Sequence, residues 1–311
     1  MSELTTKELA DLISSSQFVV LTGAGISISA GLKPFRINNK SLNKDKLSSV
    51  ELQESGNPMK LFNFVAQIAE EARNAKPSKF HFFLKHFALH KQLIRHYTMN
   101  VDCLENQVKT RIDGKYTSLK NFTIRLHGEI LHSVCFRCSK SYFVTDDILQ
   151  SWKGKHLKDL YDCNSTECTN PLRKLNSLRI LHRLPAKVKP NVVLYDEPLV
   201  EEAQERIRNA LAEDIAKKPD LLLIVGTSLS TDVHGQFMII NEFKKCRSDI
   251  KIVFINPEPP KNPSFHYVVG EADNVAWEIL QRINGHLRLN PVYIRQTKIQ
   301  TRSNSKRPKL A

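Results

Sequence analysis

Four cysteines near the middle of the chain constrain its folding more than any other feature. Cys135 and Cys138 form a C-x2-C pair, Cys163 and Cys168 form a C-x4-C pair, and 24 residues separate the two. Two close thiolate pairs joined by a loop can make a tetrahedral S4 set, the arrangement that structural zinc prefers. Each short pair offers two sulfurs locally, and the loop must bring the second pair back to the first. With all four positions filled by protein, none is left for a substrate or an activated water. The metal is therefore expected to hold a small module together and to do no chemistry. Cys103 and Cys246 fall outside the pattern and read as ordinary buried thiols.

The rest of the chain reads as a soluble globular protein, 41% hydrophobic and 25% charged over 311 residues. No run approaches the ~18 apolar residues of a membrane helix, so no membrane partner is expected. The start, M-S-E-L-T-T-K-E-L, lacks the apolar core of a secretory signal. A reducing compartment follows, which favours cysteine ligands over disulfides. The net charge of +14 favours polyanions or a chromatin setting without identifying a fold. Part of it lies in a basic tail over 291–311, expected to be disordered. There Ser305-Lys306-Arg307-Pro308-Lys309 reads as a short nuclear-import signal or as plain solvated chain.

Apolar strands alternate with amphipathic helices along most of the length. Thr5 and Glu8 form a capping box opening a short helix. Gln17–Thr22 is a continuous apolar run, as for a strand buried on both faces. Arg36–Gly56 is polar and reads as a long loop, followed by helices over Pro58–Ala75 and Ser78–Lys91. Further strands are expected at Leu93–Thr98, Phe122–Leu126, Asn191–Tyr195, Leu221–Val225 and Lys251–Ile255. Helices are expected over Leu199–Ala216, Val233–Lys245 and Ala272–Ile283. This order predicts an α/β fold: a Rossmann-like parallel sheet with an inserted zinc-binding module and a helical insertion. The expected division is a discontinuous Rossmann-like domain over 1–128 and 189–290, with a helical and loop insertion at about 36–91. The zinc module takes 129–188.

Ligands of open α/β sheets lie outside the carboxyl ends of the strands, and this chain places polar motifs there repeatedly. Gly23-Ala24-Gly25-Ile26-Ser27 follows the first strand, Asn100-Val101-Asp102 the second and His127-Gly128 the third. Gly226-Thr227-Ser228 and Asn256 end two others. Gly23 and Gly25 would let backbone approach a pyrophosphate, with free N–H groups from a following helix. Ile28 stands where a dinucleotide fingerprint needs its third glycine, so the plain G-x-G-x-x-G pattern fails.

Taken together, L-T-G-A-G-I-S-I-S-A-G-L-K-P-F-R, T-M-N-V-D-C-L-E, R-L-H-G, the four cysteines, K-P-N-V-V-L-Y-D-E, V-G-T-S-L and F-I-N-P resemble the sirtuin family of NAD-dependent protein deacylases. The resemblance runs from about Gln17 to Ile283. The V-V-L-Y segment and basic tail lean towards the nuclear, histone-directed branch seen in fungi. The resemblance implies NAD and zinc as cofactors. It implies phosphate contacts from Ala24, Gly25 and Ser27, with Gly23 in the same turn, and from Gly226, Thr227 and Ser228. Asn256 would lie near the adenosine ribose. Phe35 and Arg36 would belong to a loop over the nicotinamide ribose, and Asn100 and Asp102 would line the nicotinamide pocket. His127 would act as general base, with Asn100 beside it as the second catalytic residue. An acetylated protein, a histone tail or core lysine, would pair as an extra strand with Val192, Val193, Leu194 and Tyr195. The products would be free lysine, nicotinamide and O-acetyl-ADP-ribose. Location would be nuclear, otherwise cytoplasmic.

The chain departs from the family pattern in four places. Leu32-Lys33-Pro34-Phe35-Arg36 lacks the usual aspartate. Met99 replaces a glutamine and offers only a weak thioether acceptor. Asp196 replaces a glycine and adds a Cβ and a charge. Ser230-Thr231-Asp232 lacks the usual valine and proline. These changes motivate a competing reading, a catalytically weakened sirtuin fold that binds NAD or acetyl-lysine as a chromatin scaffold. A zinc-ribbon DNA-binding protein would leave the G-A-G-I-S, N-V-D and G-T-S turns unexplained.

Overall fold

A computed structural model describes residues 2–32, 59–112, 114–169, 185–193, 201–229, 236–262 and 264–285. The expected loop at Arg36–Gly56, the basic tail, and Phe35, Arg36, Leu194, Tyr195, Asp196 and Ser230–Asp232 lie outside the described residues.

Six strands form a parallel sheet: β1 (Phe18–Thr22), β2 (Leu93–Thr98), β5 (Thr123–Arg125), β9 (Leu221–Val225), β10 (Lys251–Asn256) and β11 (His266–Val269). Their order across the sheet is β11-β10-β9-β1-β2-β5. Every residue of β1 and β9 is buried, which is why these strands read as unbroken apolar runs. Alternate side chains serve two layers. Phe18, Val20, Leu221, Leu223 and Val253 join the core under helices α1 (Thr6–Ser14), α3 (Lys79–Leu89) and α8 (Ala272–Gly285). Val19, Leu21, Leu222, Ile224 and Phe254 join Ile207 and Leu211 of α6 (Glu201–Ala216) and Ile239 and Phe243 of α7 (Gln236–Cys246). The Thr5–Glu8 capping box opens α1.

A third core cluster builds the smaller part of the molecule. Helix α2 (Met59–Asn74) and helix α4 (Asp146–Trp152) pack there against a three-stranded antiparallel sheet ordered β7-β6-β8, and the one-turn α5 (Thr166–Thr169) adds Cys168 to the cluster. Its strands are β6 (Gly128–Cys135), β7 (Ser141–Phe143) and β8 (Val188–Val192). The two helices of the 36–91 segment thus part company: α2 belongs to this cluster and α3 to the large sheet.

Two local expectations are corrected, and one hairpin is added. The strand read at Asn191–Tyr195 begins at Val188 and pairs antiparallel with β6 instead of joining the parallel sheet. Pro190 lies within it, at a register shift between Glu129 and Ser133, where a missing N–H is tolerated. A hairpin of β3 (Lys109–Ile112) and β4 (Lys115–Ser118) was not anticipated. Cys103 is buried as expected, but Cys246 is exposed at the end of α7.

Candidate functional site

The four cysteines converge. Their Sγ atoms lie within 4.8 Å of one another, with Cys135 to Cys168 at 3.7 Å and Cys138 to Cys163 at 3.6 Å. A regular tetrahedron with Zn–S of about 2.3 Å has edges of about 3.8 Å, so the set matches a zinc ion. The surroundings suit thiolates. The Arg137 N–H donates to Cys135 Sγ at 3.3 Å and the Ser165 N–H to Cys163 Sγ at 3.4 Å. The Tyr142 hydroxyl lies 2.9 Å from Cys163 Sγ. Cys135, Cys163 and Cys168 also belong to the small core cluster with Trp152, so metal and apolar core are one structure.

At the carboxyl ends of β1 and β9 the two glycine turns meet face to face. The Gly25 N–H donates to Gly226 O at 2.8 Å, and the Gly23 N–H to Val225 O at 3.0 Å. A Cβ on Gly25 would lie 2.5 Å from Gly226 Cα. The glycines are therefore required first by the contact between the turns themselves. The helix expected after Gly25 is a 3-10 helix, Ala24–Ala30, which ends at Gly31 with φ +87°. Asn256 ends β10 beside these turns, where Ile255 O accepts from the Gly226 N–H at 3.0 Å. Thr227 Oγ1 accepts from the Leu229 N–H at 3.3 Å, and Ser228 is exposed.

Ser27, Asn100 and Asp102 form a buried hydrogen-bonded set. Ser27 Oγ donates to Asp102 Oδ2 at 2.8 Å, and Asn100 Nδ2 donates to Ser27 Oγ at 3.2 Å. The backbone fixes both ends: the Asn100 N–H donates to Thr98 Oγ1 and the Leu104 N–H to Asp102 Oδ1. Burial, then the charge of Glu105, pushes the Asp102 carboxyl upward. Ala24, Ser27, Asn100 and Asp102 line one cavity, and α2 contributes Ile68 and Glu71 to its wall. Met99, between Thr98 and Asn100, packs instead against the apolar layer of α6 and α7.

His127 occupies the passage from β5 of the large sheet to β6 of the small one. Two backbone bonds hold this passage beside the Asn100 segment: Leu126 N–H to Thr98 O at 2.9 Å and Ile130 N–H to Val101 O at 3.0 Å. Gly128 has φ +86°, and a Cβ there would lie 2.2 Å from Asn191 O. Only glycine fits this turn. Gly128 pairs with Val192, and the Val193 N–H donates to His127 O at 3.0 Å. The structure thus brings His127, Val192 and Val193 together, and separately groups Ser27, Asn100 and Asp102 under the glycine turns.

Sequence reasoning missed Ile68 and Glu71, which no local motif marks. It also missed the ion pairs of Arg125 with Glu105 at 3.1 Å and with Glu129 at 3.2 Å.

The Sir2 family profile matches residues 23–233. The chain is 29% identical over 281 residues to the NAD-dependent protein deacetylase hst4 of Emericella nidulans, covering 84% of this chain and 46% of that protein. It is 30% identical over 267 residues to the NAD-dependent histone deacetylase HST4 of Saccharomyces cerevisiae, covering 80% and 69% respectively. The chain thus spans about half the length of the first relative. A solved Sir2 homologue–NAD complex shares the fold with a TM-score of 0.66 at 21% identity, covering 92% of this chain and 96% of that one.

Proposed function

The chain belongs to the Sir2 family, and from that premise we propose that it is a NAD-dependent protein-lysine deacetylase acting on histones. Its products are free lysine, nicotinamide and O-acetyl-ADP-ribose. The observation that supports this reading is the pair of backbone bonds, Leu126 N–H to Thr98 O and Ile130 N–H to Val101 O, that ties the turn bearing His127 to the segment bearing Asn100 and Asp102.

The donor set fits the cofactor. The two glycine turns close on each other at the carboxyl edge of the sheet, and Ser27, Thr227 and Ser228 add hydroxyl groups to that edge. Ala24, Gly25 and Ser27 on one turn, and Gly226, Thr227 and Ser228 on the other, would hold the phosphates. Asn256 would serve the adenosine ribose, and Asn100 and Asp102 would hold the nicotinamide end. When bound, NAD supplies the leaving nicotinamide and the ribose carbon that accepts the acetyl oxygen. His127 would take a proton from a ribose hydroxyl, a task for which a neutral imidazole offers a ring-nitrogen lone pair. Val192 and Val193, continued by Leu194 and Tyr195, offer the strand along which an acetylated peptide pairs. The zinc ion shapes the small module and takes no part in the reaction.

Histones as substrate are supported by the name of the Saccharomyces cerevisiae relative and by the net charge of +14. The same two observations and the tail sequence support a nuclear location and a basic surface suited to chromatin.

The test follows nicotinamide release and acetyl loss together, with purified zinc-loaded protein, NAD and acetylated histone peptides. Matched, NAD-dependent release of both is expected, and His127→Ala should abolish it while NAD still binds. A folded, zinc-loaded protein that binds NAD and releases nothing would establish the scaffold reading instead.

A further inference from the structure

Beneath Asp102 lie two buried polar side chains, His81 and Glu105, for which the reaction gives no role. His81 of α3, Asp102 and Glu105 are all buried, and one nitrogen or oxygen of each lies within 4.8 Å of the others. Glu105 Oε2 accepts from Arg125 Nη2 at 3.1 Å. Glu105 Oε1 and His81 Nε2 have no hydrogen-bond partner in the protein. They face each other at 3.9 Å, too far for a direct hydrogen bond. Two unsatisfied polar atoms in fully buried side chains are costly, and they converge on one point.

A His–Asp–Glu trio suggests a metal ion, but the histidine tautomer argues against one. The Ser78 N–H donates to His81 Nδ1 at 3.2 Å, as part of the capping box that opens α3. Nδ1 therefore carries the lone pair. A neutral imidazole has only one such nitrogen, so Nε2 carries hydrogen and cannot ligate a cation. The cluster thus presents one donor and two carboxylate acceptors. Its ligand must accept one hydrogen bond and donate two, which is the capacity of a water molecule. The spacing agrees: with bonds of about 2.8 Å, the 3.9 Å between His81 Nε2 and Glu105 Oε1 corresponds to an angle of about 90° at the centre, and separations within 4.8 Å to angles of at most about 120°.

We propose that His81, Asp102 and Glu105 hold one internal water, and that this water fixes Asp102 against Ser27 so that Asn100 stays aimed into the cavity. Each link is in place: Asp102 Oδ2 accepts from Ser27 Oγ, and Ser27 Oγ accepts from Asn100 Nδ2. A carboxylate oxygen accepts more than one bond, so Asp102 can take the water as well as Ser27 and Leu104. His81 and Glu105 are then positioning residues. Their kinetic effect rests on the deacetylase reading, whereas the water site does not.

The first test is a crystal structure of the full chain at a resolution that orders internal waters, with anomalous data at the zinc edge. The expected result is one peak in hydrogen-bond contact with His81 Nε2, Glu105 and Asp102, without anomalous signal, while the four-cysteine site shows zinc. An anomalous peak in the cluster, or a direct His81–Glu105 bond excluding solvent, overturns the proposal. The second test uses His81→Gln, which can keep the capping box, and Glu105→Gln. In both, the structure should show the water lost and the Asn100–Ser27 contact broken. Turnover at saturating NAD should fall about 10- to 100-fold, as for a displacement near 1 Å. Intact Asn100 geometry in both variants overturns the positioning role. Absence of turnover in the unaltered protein would instead defeat the functional reading and leave the density test decisive for the water.

Discussion

Gly128→Ala probes the junction that carries His127. Gly128 has φ +86°, and an added Cβ would lie 2.2 Å from Asn191 O and 3.0 Å from its carbonyl carbon. The left-handed backbone costs an alanine about 1–2 kcal/mol. Ordinary carbon–oxygen contacts begin near about 3.3 Å, so β8 and the His127 turn must separate by about 1 Å. The obstructing atoms are backbone in a paired strand, and overpacking of that kind costs about 1–3 kcal/mol. The total, about 2–5 kcal/mol, is a large share of a typical stability of about 5–15 kcal/mol.

The chain has two tryptophans, and each reports a different part. Trp152 is buried in the small cluster, and Trp277 is exposed on α8 of the large-sheet part, with Lys79 of α3 over its ring. Single-tryptophan versions, unfolded in urea, separate the two. Gly128→Ala should move the Trp152 transition to lower urea by about 1 M or more. Nicotinamide release should fall about 100-fold, because displacement near 1 Å misplaces a proton acceptor. An unchanged midpoint together with turnover within twofold would refute both the backbone strain and the clash.

Three further outcomes are expected. Metal analysis should find one zinc per chain, and the Cys135→Ala/Cys138→Ala variant should lose it and expose Trp152, since structural zinc contributes directly to folding; native Trp152 emission without metal would contradict this. Asp214 is fully buried and accepts from Arg95 Nε at 2.8 Å and from the Tyr97 hydroxyl at 2.8 Å. Asp214→Ala should cost about 3–5 kcal/mol in urea unfolding, whereas Glu213→Ala, on the exposed side of Arg95, should cost under about 1 kcal/mol. Burial lowers His96 from 6.5 to about 4. The unfolded chain therefore binds this proton below about 6.5 and the folded chain only near 4. The contribution is complete above 6.5 and falls by about 3 kcal/mol as pH drops to 4. The stability difference between the unaltered protein and His96→Gln should shrink over that window, while zinc loss at low pH largely cancels between the two. A constant difference would show that His96 does not govern the slope.

The parts of the fold legible in the sequence are those fixed by local chemistry. Strands buried on both faces leave unbroken apolar runs, so β1 and β9 were readable to the residue or nearly so. The cysteine spacing encodes its own geometry. The β3–β4 hairpin carried a signal in Asp113-Gly114, a favoured hairpin turn dipeptide, that the helix-and-strand alternation obscured. β8 was misplaced because Val192-Val193-Leu194-Tyr195 is more apolar than Val188-Lys189-Pro190, and a proline argues against a strand unless the partner's register shift is known.

The site was less legible, because its decisive contacts join distant parts of the chain. A fingerprint assigns Gly25 to phosphate, whereas its Cβ position is closed by Gly226, a contact between two turns that no local pattern encodes. Once that contact is set, the rest follows from alternation along β2. Tyr97 and Met99 face the α6–α7 layer, so Thr98 and Asn100 turn the other way, towards Ser27. The thioether at position 99 is therefore absorbed by packing, and the buried hydrogen-bonded set is complete without it. On this geometry the departure at Met99 leaves the Ser27–Asn100–Asp102 set intact.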